Sequence, residues 1–526
     1  MKKTLLALSV VFFFQAANTQ QHTKDSVVSA NGPTANGRAE ITDSFRLNYQ
    51  DVYENMHYDQ PLRPQVHYTP IAGQIADPTG LIKYNGIYHL FYMFDEWSKQ
   101  RRDNKNWGHA ISTDCIHWEQ QPPVLNTLID NRPGSGSGII DWNNTLRLQT
   151  GTEKTIAIFY TDYGRGISLA YSKDAGKTWV RHKNNPLMPI KNGFRDPVVF
   201  WYQPDQSWRM VIYEEPGVSF YKSVDLLSWQ FLSKLGGYFE CPDFIHMPVD
   251  GSEDNKKWVL MDGNGAYTIG EFDGTIFSPQ QEKKYLGEKV FYNRVGNRIN
   301  YYTKDIYATQ TWKQSYEGDG PFYQMAFMMI KGAPTQNRTW SQQLIFPVEL
   351  TLKTIDGRIQ LCRNPIDGIK GLRDKGIFLQ NETIRPGENP LKNLSGDVYE
   401  MIFDIDIGQS KEIDFAIRGQ KAIYETKSGK LTFMDSRINL IPSKNRIRLR
   451  ILIDRNSVEI YGNEGENSIT RLFYPESTDK SYELSSIEGS ITMVNMEIYP
   501  LRSIWLKKEL EMGYYRNLNS VNLPCK

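Results

Sequence analysis

A short turn signature recurs along the first half of the chain and limits the folds that this sequence can adopt. Each copy places an Asp one turn ahead of an aromatic residue, at Asp114, Asp174, Asp225 and, more weakly, Asp273. The intervals are 60, 51 and 48 residues, close to the ~50-residue period of β-propeller blades. An Asp-initiated turn between two outer strands of a blade explains the pattern. The repeat therefore predicts a propeller of about five blades over residues 56–350.

Between these turns, the sequence has the pattern of short strands. Residues 81–92 predict a β-hairpin with Asn85-Gly86 at its tip, since that dipeptide favours two-residue turns. Helical periodicity is scarce over the first 350 residues. The 30 Tyr, 24 Phe and 12 Trp residues suit sheet cores, with a minority available to stack on a sugar. This part of the chain is predicted to be all-β.

The last third of the chain has a different pattern. Residues 398–405 and 447–460 show period-two alternation, with one slip, which is typical of half-buried strands. Such segments predict a β-sandwich over 360–505. Residues 506–526 form a C-terminal tail, in which 506–515 favour one short helix. The predicted fold class is all-β, a five-bladed β-propeller followed by a C-terminal β-sandwich.

The N-terminus has the pattern of a secretory signal. Two lysines, Lys2 and Lys3, precede an apolar run from Leu5 to Phe14, which is shorter than the ~20 residues that span a bilayer. The first cysteine is Cys115, so a lipoprotein anchor is not expected. We predict a signal peptide over 1–17, a flexible polar leader over 18–55, no membrane span, and a secreted or periplasmic location.

Composition excludes several function classes. The 61 Lys and Arg residues balance 60 Asp and Glu, so a nucleic-acid partner is not predicted. Four cysteines are too few for a disulfide scaffold, and the eight histidines lack metal-ligand spacing. Neither a metal nor another cofactor is predicted, and the oligomeric state is left open.

Three acidic segments carry the chemistry. Each places a carboxylate beside a proline next to an apolar run, at Asp77, Asp196 and Glu240. Cleavage of a glycosidic bond requires two carboxyl groups, one that attacks or activates water and one that donates a proton. Spacing alone does not show that the three converge, but blades of one propeller would bring separate strand ends together.

Taken with their order and the appended sandwich, these segments resemble family 32 glycoside hydrolases, which include invertases, inulinases and levanases. The resemblance covers most of the chain. Its marks are residues 77–80, 195–197, 240–241, 107–110, 135–137, 272–274, 305–308 and 454–461.

The resemblance implies a role for each carboxylate. Asp77 would be the nucleophile on C2 of a fructosyl unit, Glu240 the general acid and then base, and Asp196 the transition-state stabiliser. A retaining pair lies ~5–5.5 Å apart, and the acid needs a raised pKa. Substrate-binding roles are implied for Arg195, Trp107 and Ser137, although packing explains Trp107 equally well and turn capping explains Ser137. The implied partner is a fructan or fructo-oligosaccharide.

The chain departs from the family pattern around the nucleophile. The usual Trp-Met-Asn-Asp-Pro-Asn-Gly is replaced by residues 74–80, so that Gln74, Ala76 and Thr79 stand for the aromatic and both amides. Met93 stands where Gln is usual, and Val348 where Arg is usual. The loss of amides removes hydrogen bonds that position the sugar. The predicted function is a secreted retaining hydrolase of β-fructofuranosidic bonds.

Three alternatives remain open. A fructosyltransferase or fructotransferase would use the same triad. An inverting five-bladed enzyme acting on arabinose or xylose linkages also needs three carboxylates, although the Glu240-Cys241 motif and the sandwich count against it. A fructan-binding protein without catalysis is the alternative of a different class.

Overall fold

The computed structural model describes residues 58–95, 106–125, 132–191, 193–295, 298–303, 306–312, 320–328, 339–476 and 478–505. The predicted signal peptide over 1–17, the leader over 18–55 and the helix over 506–515 lie outside these ranges. Within them, regular structure consists of strands and two short 3₁₀ helices, at Gln203–Asp205 and Asp367–Leu372.

The first blade is an antiparallel meander. Its strands are β1 (Gly73–Tyr84), β2 (Ile87–Asp95), β3 (Asn106–Ser112) and β4 (Glu119–Leu125). Asn85 and Gly86 connect β1 to β2 with φ angles of 49° and 77°, as a two-residue hairpin turn requires. The predicted hairpin is confirmed.

The second and third blades repeat this arrangement. The second contains β5 (Pro133–Asp141), β6 (Thr155–Asp162), β7 (Gly166–Ser172), β8 (Val180–Arg181) and β9 (Met188–Pro189). The third contains β10 (Arg195–Tyr202), β11 (Ser207–Glu214), β12 (Gly217–Ser223) and β13 (Gln230–Gly236).

The fourth and fifth blades share one ten-stranded sheet. The fourth contains β14 (Asp243–Val249), β15 (Ser252–Met261), β16 (Ala266–Phe272), β17 (Phe277–Pro279) and β18 (Lys284–Tyr285). A separate ribbon of β19 (Lys289–Val295) and β20 (Arg298–Thr303) follows. The fifth is built from β21 (Ile306–Thr311), β22 (Phe322–Met328), β24 (Gln343–Leu344), β25 (Val348–Ile355) and β26 (Arg358–Pro365). Strand β23 (Trp340–Ser341) instead pairs parallel with β1, which joins the end of the propeller to its beginning.

The repeated aspartates close the predicted turns. Asp114, Asp225 and Asp273 each accept hydrogen bonds from the backbone N–H groups two and three residues later. Asp174 accepts instead from the N–H of Thr178. These turns follow β3, β7, β12 and β16, the third strand of each of the first four blades. The repeat in the sequence therefore marks one position in successive blades.

The first strands of the blades surround the centre of the propeller. Strand β5 contacts both β1 and β10, and β21 contacts both β1 and β14. All nine residues of β5 are buried, since both faces of a central strand are covered by neighbouring blades. Residues at the ends of these strands consequently face one another.

The C-terminal module is a sandwich of two antiparallel sheets. One sheet has the order β27-β37-β28-β33-β34-β35 and the other β32-β31-β30-β29-β36. The strands are β27 (Ile377–Ile384), β28 (Tyr399–Asp406), β29 (Glu412–Ile417), β30 (Gln420–Glu425), β31 (Lys430–Phe433), β32 (Ser436–Asn439), β33 (Arg446–Asp454), β34 (Ser457–Gly462), β35 (Asn467–Leu472), β36 (Tyr482–Ile487) and β37 (Ile491–Pro500). In β33, Ile447, Leu449 and Ile451 are buried as the alternation predicts, and Leu452 is buried at the slip. The predicted fold class is confirmed.

A buried polar junction connects the two modules. His67 precedes the propeller, and its Nδ1 lies 2.7 Å from Asp454 Oδ2 at the end of β33. Its Nε2 lies 3.3 Å from Glu459 Oε1 in β34. Asp454 also accepts from the backbone N–H groups of Gln65 and Val66. Because charged groups are stable in a core only when paired, this junction favours one relative placement of the segments that meet there.

Candidate active site

The three predicted carboxylates lie near the starts of innermost strands. Asp77 sits in β1 within a bulge between Ile75 and Pro78. Asp196 is the second residue of β10, and Glu240 lies in the connection to β14, three residues before that strand begins. A bulge redirects side chains near a strand end and is common beside active sites. The propeller thus brings three distant segments to one end of its central region.

Asp77 is half-buried and faces a cleft. Its Oδ2 accepts a hydrogen bond of 3.0 Å from the hydroxyl of Ser135. The cleft is open to solvent, and its space, part of it open solvent, measures about 370 Å³. It is lined by Gln74, Ala76, Asp77, Met93, Phe94, Asp95, Ser135 and Tyr163. The carboxylate is therefore both oriented and accessible.

Asp196 is buried and constrained. Its φ angle is +59°, a left-handed conformation that Asp tolerates better than most residues. The backbone N–H of Cys241 donates to Asp196 Oδ2 at 3.1 Å, and the Asp196 N–H donates to the hydroxyl of Thr161 at 2.8 Å. Burial, followed by the negative charge of Glu240, raises the pKa of Asp196 to about 7, although Arg195 opposes this. Burial and the neighbouring acid therefore favour the neutral form of Asp196.

Glu240 is held from two sides. Arg195 Nε donates to Oε2 at 2.7 Å, and the hydroxyl of Tyr307 donates to Oε1. The Gly263 N–H donates to the backbone carbonyl of Glu240 at 2.6 Å, and a Cβ at Gly263 would lie only 2.8 Å from that oxygen. About a quarter of the side chain is exposed. Glu240 is therefore accessible and has little rotational freedom.

Arg195 connects two of the carboxylates. Its Nε lies 3.7 Å from Asp196 Oδ2 as well as 2.7 Å from Glu240. The guanidinium carbon sits 4.1 Å from the centre of the Tyr213 ring and 5.8 Å from that of Phe239. Burial alone would lower the pKa of Arg195, but the negative charges of Glu240 and Asp196 raise it. A permanent cation is thus fixed between the two acids.

The three acids lie close enough to act on one another electrostatically. The charges of Glu240 and Asp77 both act on Asp196 in the direction of a higher pKa. Burial, and then the charges around it, Asp196, Glu240 and Asp77 among them, raise the pKa of the Tyr163 hydroxyl. Tyr163 therefore remains a protonated donor at neutral pH.

Trp107 and Ser137 lie behind this site. Trp107 is fully buried, and its Nε1 donates to the carbonyl of Gly134 at 2.9 Å. The hydroxyl of Ser137 is buried and accepts from the Val199 N–H at 2.9 Å. Neither side chain lines the cleft. Their predicted substrate contacts stay predictions, and the structure places both in packing positions.

Several site residues were missed by the sequence reasoning. Tyr307 falls in one of the family marks but received no role. Tyr163 and Asp95 line the cleft without any local motif that signals it, and Gln74, which lies in the motif around Asp77, was noted only as a departure from the family pattern. Tyr163 lies near Asp196 because the second blade packs against the third. The spacing of residues in the sequence does not reveal that packing.

The described ranges contain no group of three or more His, Cys, Asp or Glu side chains arranged to hold a metal ion. They also contain no helix long and apolar enough to cross a membrane.

A β-propeller with three acidic side chains at one end, followed by a β-sandwich, suits a carbohydrate-active enzyme, and sequence comparison identifies the family. The model for "Glycosyl hydrolases family 32 N-terminal domain" matches residues 67–365, and that for "Glycosyl hydrolases family 32 C terminal" matches 369–500. The chain therefore belongs to glycosyl hydrolase family 32. The resemblance and the prediction of a glycoside hydrolase of the β-fructofuranosidase type are confirmed.

Individual relatives agree with this. A levanase from Bacillus subtilis is 33% identical over 506 residues, covering 86% of this chain and 72% of the relative. An extracellular exo-inulinase from Aspergillus niger is 29% identical over 529 residues, covering 85% and 96%. The crystal structure of exo-inulinase from Aspergillus awamori superposes with a TM-score of 0.74 at 24% identity, covering 85% of this chain and 100% of that one.

Proposed function

We propose that this protein hydrolyses β-fructofuranosidic bonds in levan, inulin or fructo-oligosaccharides and releases fructose with retained configuration. Asp77 attacks C2 of the fructosyl unit while Glu240 protonates the leaving oxygen, which gives a covalent fructosyl-enzyme. Glu240, now a carboxylate, takes a proton from water as the water attacks C2 and releases Asp77.

One observation carries this proposal. An accessible carboxylate, Asp77, faces a cleft, and a second, Glu240, accepts hydrogen bonds from Arg195 and Tyr307. Two carboxyl groups with different surroundings suit the two roles of a retaining mechanism. Asp196 would bind fructosyl hydroxyls and stabilise the positive charge that develops on the ring.

The substrate class is supported by similarity. The relatives named levanase and exo-inulinase align over at least 85% of this chain. The cleft agrees with a sugar ligand, since Ala76, Met93 and Phe94 offer an apolar wall to C–H groups and the carboxylates accept from hydroxyls.

Fructosyl transfer is the second candidate, and it is favoured by the changed surroundings of Asp77. Ala76 and Met93 line the cleft where the family pattern has amides. Apolar walls bind an attacking water less well, so a sugar hydroxyl from a second substrate could compete for the fructosyl-enzyme. Transfer to another sugar, or within the chain to a cyclic product, would use the same three acids.

Location is part of the proposal. The N-terminal signal pattern supports export with removal of residues 1–17, and the relative from Aspergillus niger is named extracellular. Mass spectrometry of the mature N-terminus tests this. A mature protein that begins at Met1 contradicts it.

A product profile tests the activity. Purified protein is incubated with levan, inulin and sucrose beside the variants Asp77→Ala and Glu240→Gln, and products are separated by anion-exchange chromatography. Free fructose, lost in both variants, supports hydrolysis, whereas anhydrides or longer oligomers support transfer. Near-normal rates in either variant contradict the assigned roles. Tight fructan binding without turnover by the unmodified protein would indicate a binding protein.

A further inference from the structure

The floor of the cleft beside Asp77 contains two polar side chains to which the mechanism assigns no role. Gln74 lies in β1 and Asp95 ends β2, and the two are direct partners across the antiparallel pair. Both line the cleft, and both are more than nine-tenths buried. We call Gln74 and Asp95 the acceptor pair, because each presents an oxygen that accepts hydrogen bonds.

Gln74 is the more informative member. It is 7% exposed, and its Oε1 is buried without a hydrogen-bond partner among the residues that the structure describes. Leaving a buried polar atom unsatisfied costs about 1–3 kcal/mol. A ligand hydroxyl that donates to this oxygen would recover that free energy, so the empty acceptor points to a donor supplied from the cleft.

The charge of the cleft restricts that ligand. Asp77 and Asp95 place two carboxylates around it, and the Ser135 hydroxyl already donates to Asp77. Carboxylate oxygens accept hydrogen bonds, and a neutral polyol has several O–H donors to offer. Ala76 and Met93, on the same walls, supply the apolar contact that C–H faces require.

The position of the acceptor pair indicates that it replaces polar contacts that Ala76 and Met93 lack. Ala76 and Met93 follow and precede the pair along β1 and β2, and each is two residues from a member. The Ala76 side chain has no polar atom, and the Met93 thioether is only a weak acceptor. An amide at 74 together with a carboxylate at 95 restores polar contacts on the same two strands.

We propose that Gln74 and Asp95 bind one hydroxyl group of the fructosyl unit beside Asp77 and thereby determine which sugar this cleft accepts. The proposal rests on the proposed function, since it names the substrate contacts of the same site. Gln74 acts in binding and takes no part in bond cleavage.

Enzyme variants, each measured on the parent substrate and on its deoxy analogues, test the acceptor pair. Gln74→Met keeps the length of the side chain and removes the amide, and Gln380→Met is the matched control on the exposed β27 of the sandwich. kcat and KM are measured on a fructo-oligosaccharide and on analogues whose terminal fructosyl unit lacks the 1-, 3-, 4- or 6-hydroxyl.

Gln74→Met is expected to lower kcat/KM for the parent substrate by about 10- to 100-fold, the range for a lost buried hydrogen bond. For one deoxy analogue, wild type and Gln74→Met should have equal kcat/KM, because the hydroxyl that the amide binds is already missing. Gln380→Met should match wild type on every substrate. An equal loss on all five substrates, or no loss, overturns the proposal.

Fructose binding separates this proposal from the proposed function. Calorimetric titration of fructose into wild type, Gln74→Met and Gln74→Asn needs no turnover. The Kd is expected to rise about 10-fold in Gln74→Met, with partial recovery in Gln74→Asn. If wild type binds fructose but releases none from fructans, the hydrolase assignment fails while the pair stands. An unchanged Kd in a folded Gln74→Met protein overturns the pair whatever the activity.

Discussion

Arg195 Nε donates to Glu240 Oε2 at 2.7 Å, and the guanidinium carbon simultaneously lies 4.1 Å from the centre of the Tyr213 ring. The ring fixes the plane of the guanidinium, and that plane fixes the direction of the N–H that reaches Glu240. Asp196 Oδ2 lies 3.7 Å from the same Nε. One cation therefore positions the proposed acid/base and shares its charge with the proposed transition-state stabiliser.

Replacement of Arg195 by Lys should separate the effect of the positive charge on Glu240 from the effect of the fixed N–H direction. Lys retains the positive charge but has neither the flat surface that stacks on Tyr213 nor a fixed N–H direction. We expect kcat to fall by about 10- to 100-fold with a folded protein. Steady-state kinetics on a fructo-oligosaccharide measure this. Arg448→Lys, on an exposed position of the sandwich, is the control, and equal kcat values for the two variants would contradict the positioning role.

The hydroxyl of Tyr307 is expected to hold Glu240 from its other side. Tyr307→Phe removes this donor while leaving the ring, so Oε1 gains freedom. We expect kcat to fall by about 10-fold or more with KM nearly unchanged and with a displaced pH–rate profile. Tyr84→Phe is a matched control, since the Tyr84 hydroxyl also donates to a carboxylate, Glu153 Oε2 at 2.9 Å, away from the cleft. A pH profile identical to wild type in Tyr307→Phe would argue against the contact.

The fold could be predicted from the sequence because its signals are local. An Asp turn satisfies backbone N–H groups within three or four residues, so Asp114 and Asp225 reveal their blades without reference to distant contacts. The alternation in β33 likewise reflects which residues are buried in that strand alone. Both features can therefore be recognised in the sequence alone.

The site could be predicted only in part. The carboxylates stand in short segments with turn-forming prolines, but their neighbours come from other strands. Gln74 pairs with Asp95 only because two bulges in β1 shift the register by two positions from that set at the hairpin tip. Bulges have no dependable sequence signature, so the residues that line the cleft could be identified only from the structure. The burial of Trp107 and Ser137 depends on packing between blades, so the sequence could not predict it either.

Asp196 should make stability depend on pH. Burial and the charge of Glu240 raise its pKa in the folded protein to about 7, above its ordinary value near 4. Its contribution to stability is therefore fully present below about pH 4 and is lost as the pH rises through about 7. Asp196→Asn cannot ionise, so at pH 8 its Tm should exceed that of wild type, by about 1 °C for each kcal/mol relieved in a protein of this size.

Thermal unfolding of Asp196→Asn and wild type from pH 4 to 8 measures this difference, which should shrink towards pH 4. Asp254→Asn, at an exposed position, controls for the removal of one negative charge. A constant difference in Tm across the whole range would mean that the charge on Asp196 does not determine the effect. Fructose release should be lost in Asp196→Asn at every pH.

Ser137 distinguishes a substrate contact from a structural one. Its buried hydroxyl accepts the Val199 N–H, so Ser137→Ala removes an acceptor inside the propeller. The position predicts a loss of about 1–3 kcal/mol in the free energy of unfolding with KM unchanged. Denaturant titration and steady-state kinetics measure the two quantities. A raised KM in a fully stable Ser137→Ala protein would instead support the substrate-binding role inferred from the sequence.

His67 should act as a charged anchor between the modules. Burial alone would lower its pKa, but hydrogen bonds and charges from Asp454 and Glu459 outweigh burial and raise the pKa to about 9. The resulting stability is fully present below about pH 6.5 and is lost as the pH rises through about 9. We expect His67→Gln to lower the free energy of unfolding at pH 6 by about 3–5 kcal/mol and by less at pH 9.5. His117→Gln, which breaks an exposed pair with Asp114, should change it little, and an equal loss in both variants would refute the anchor.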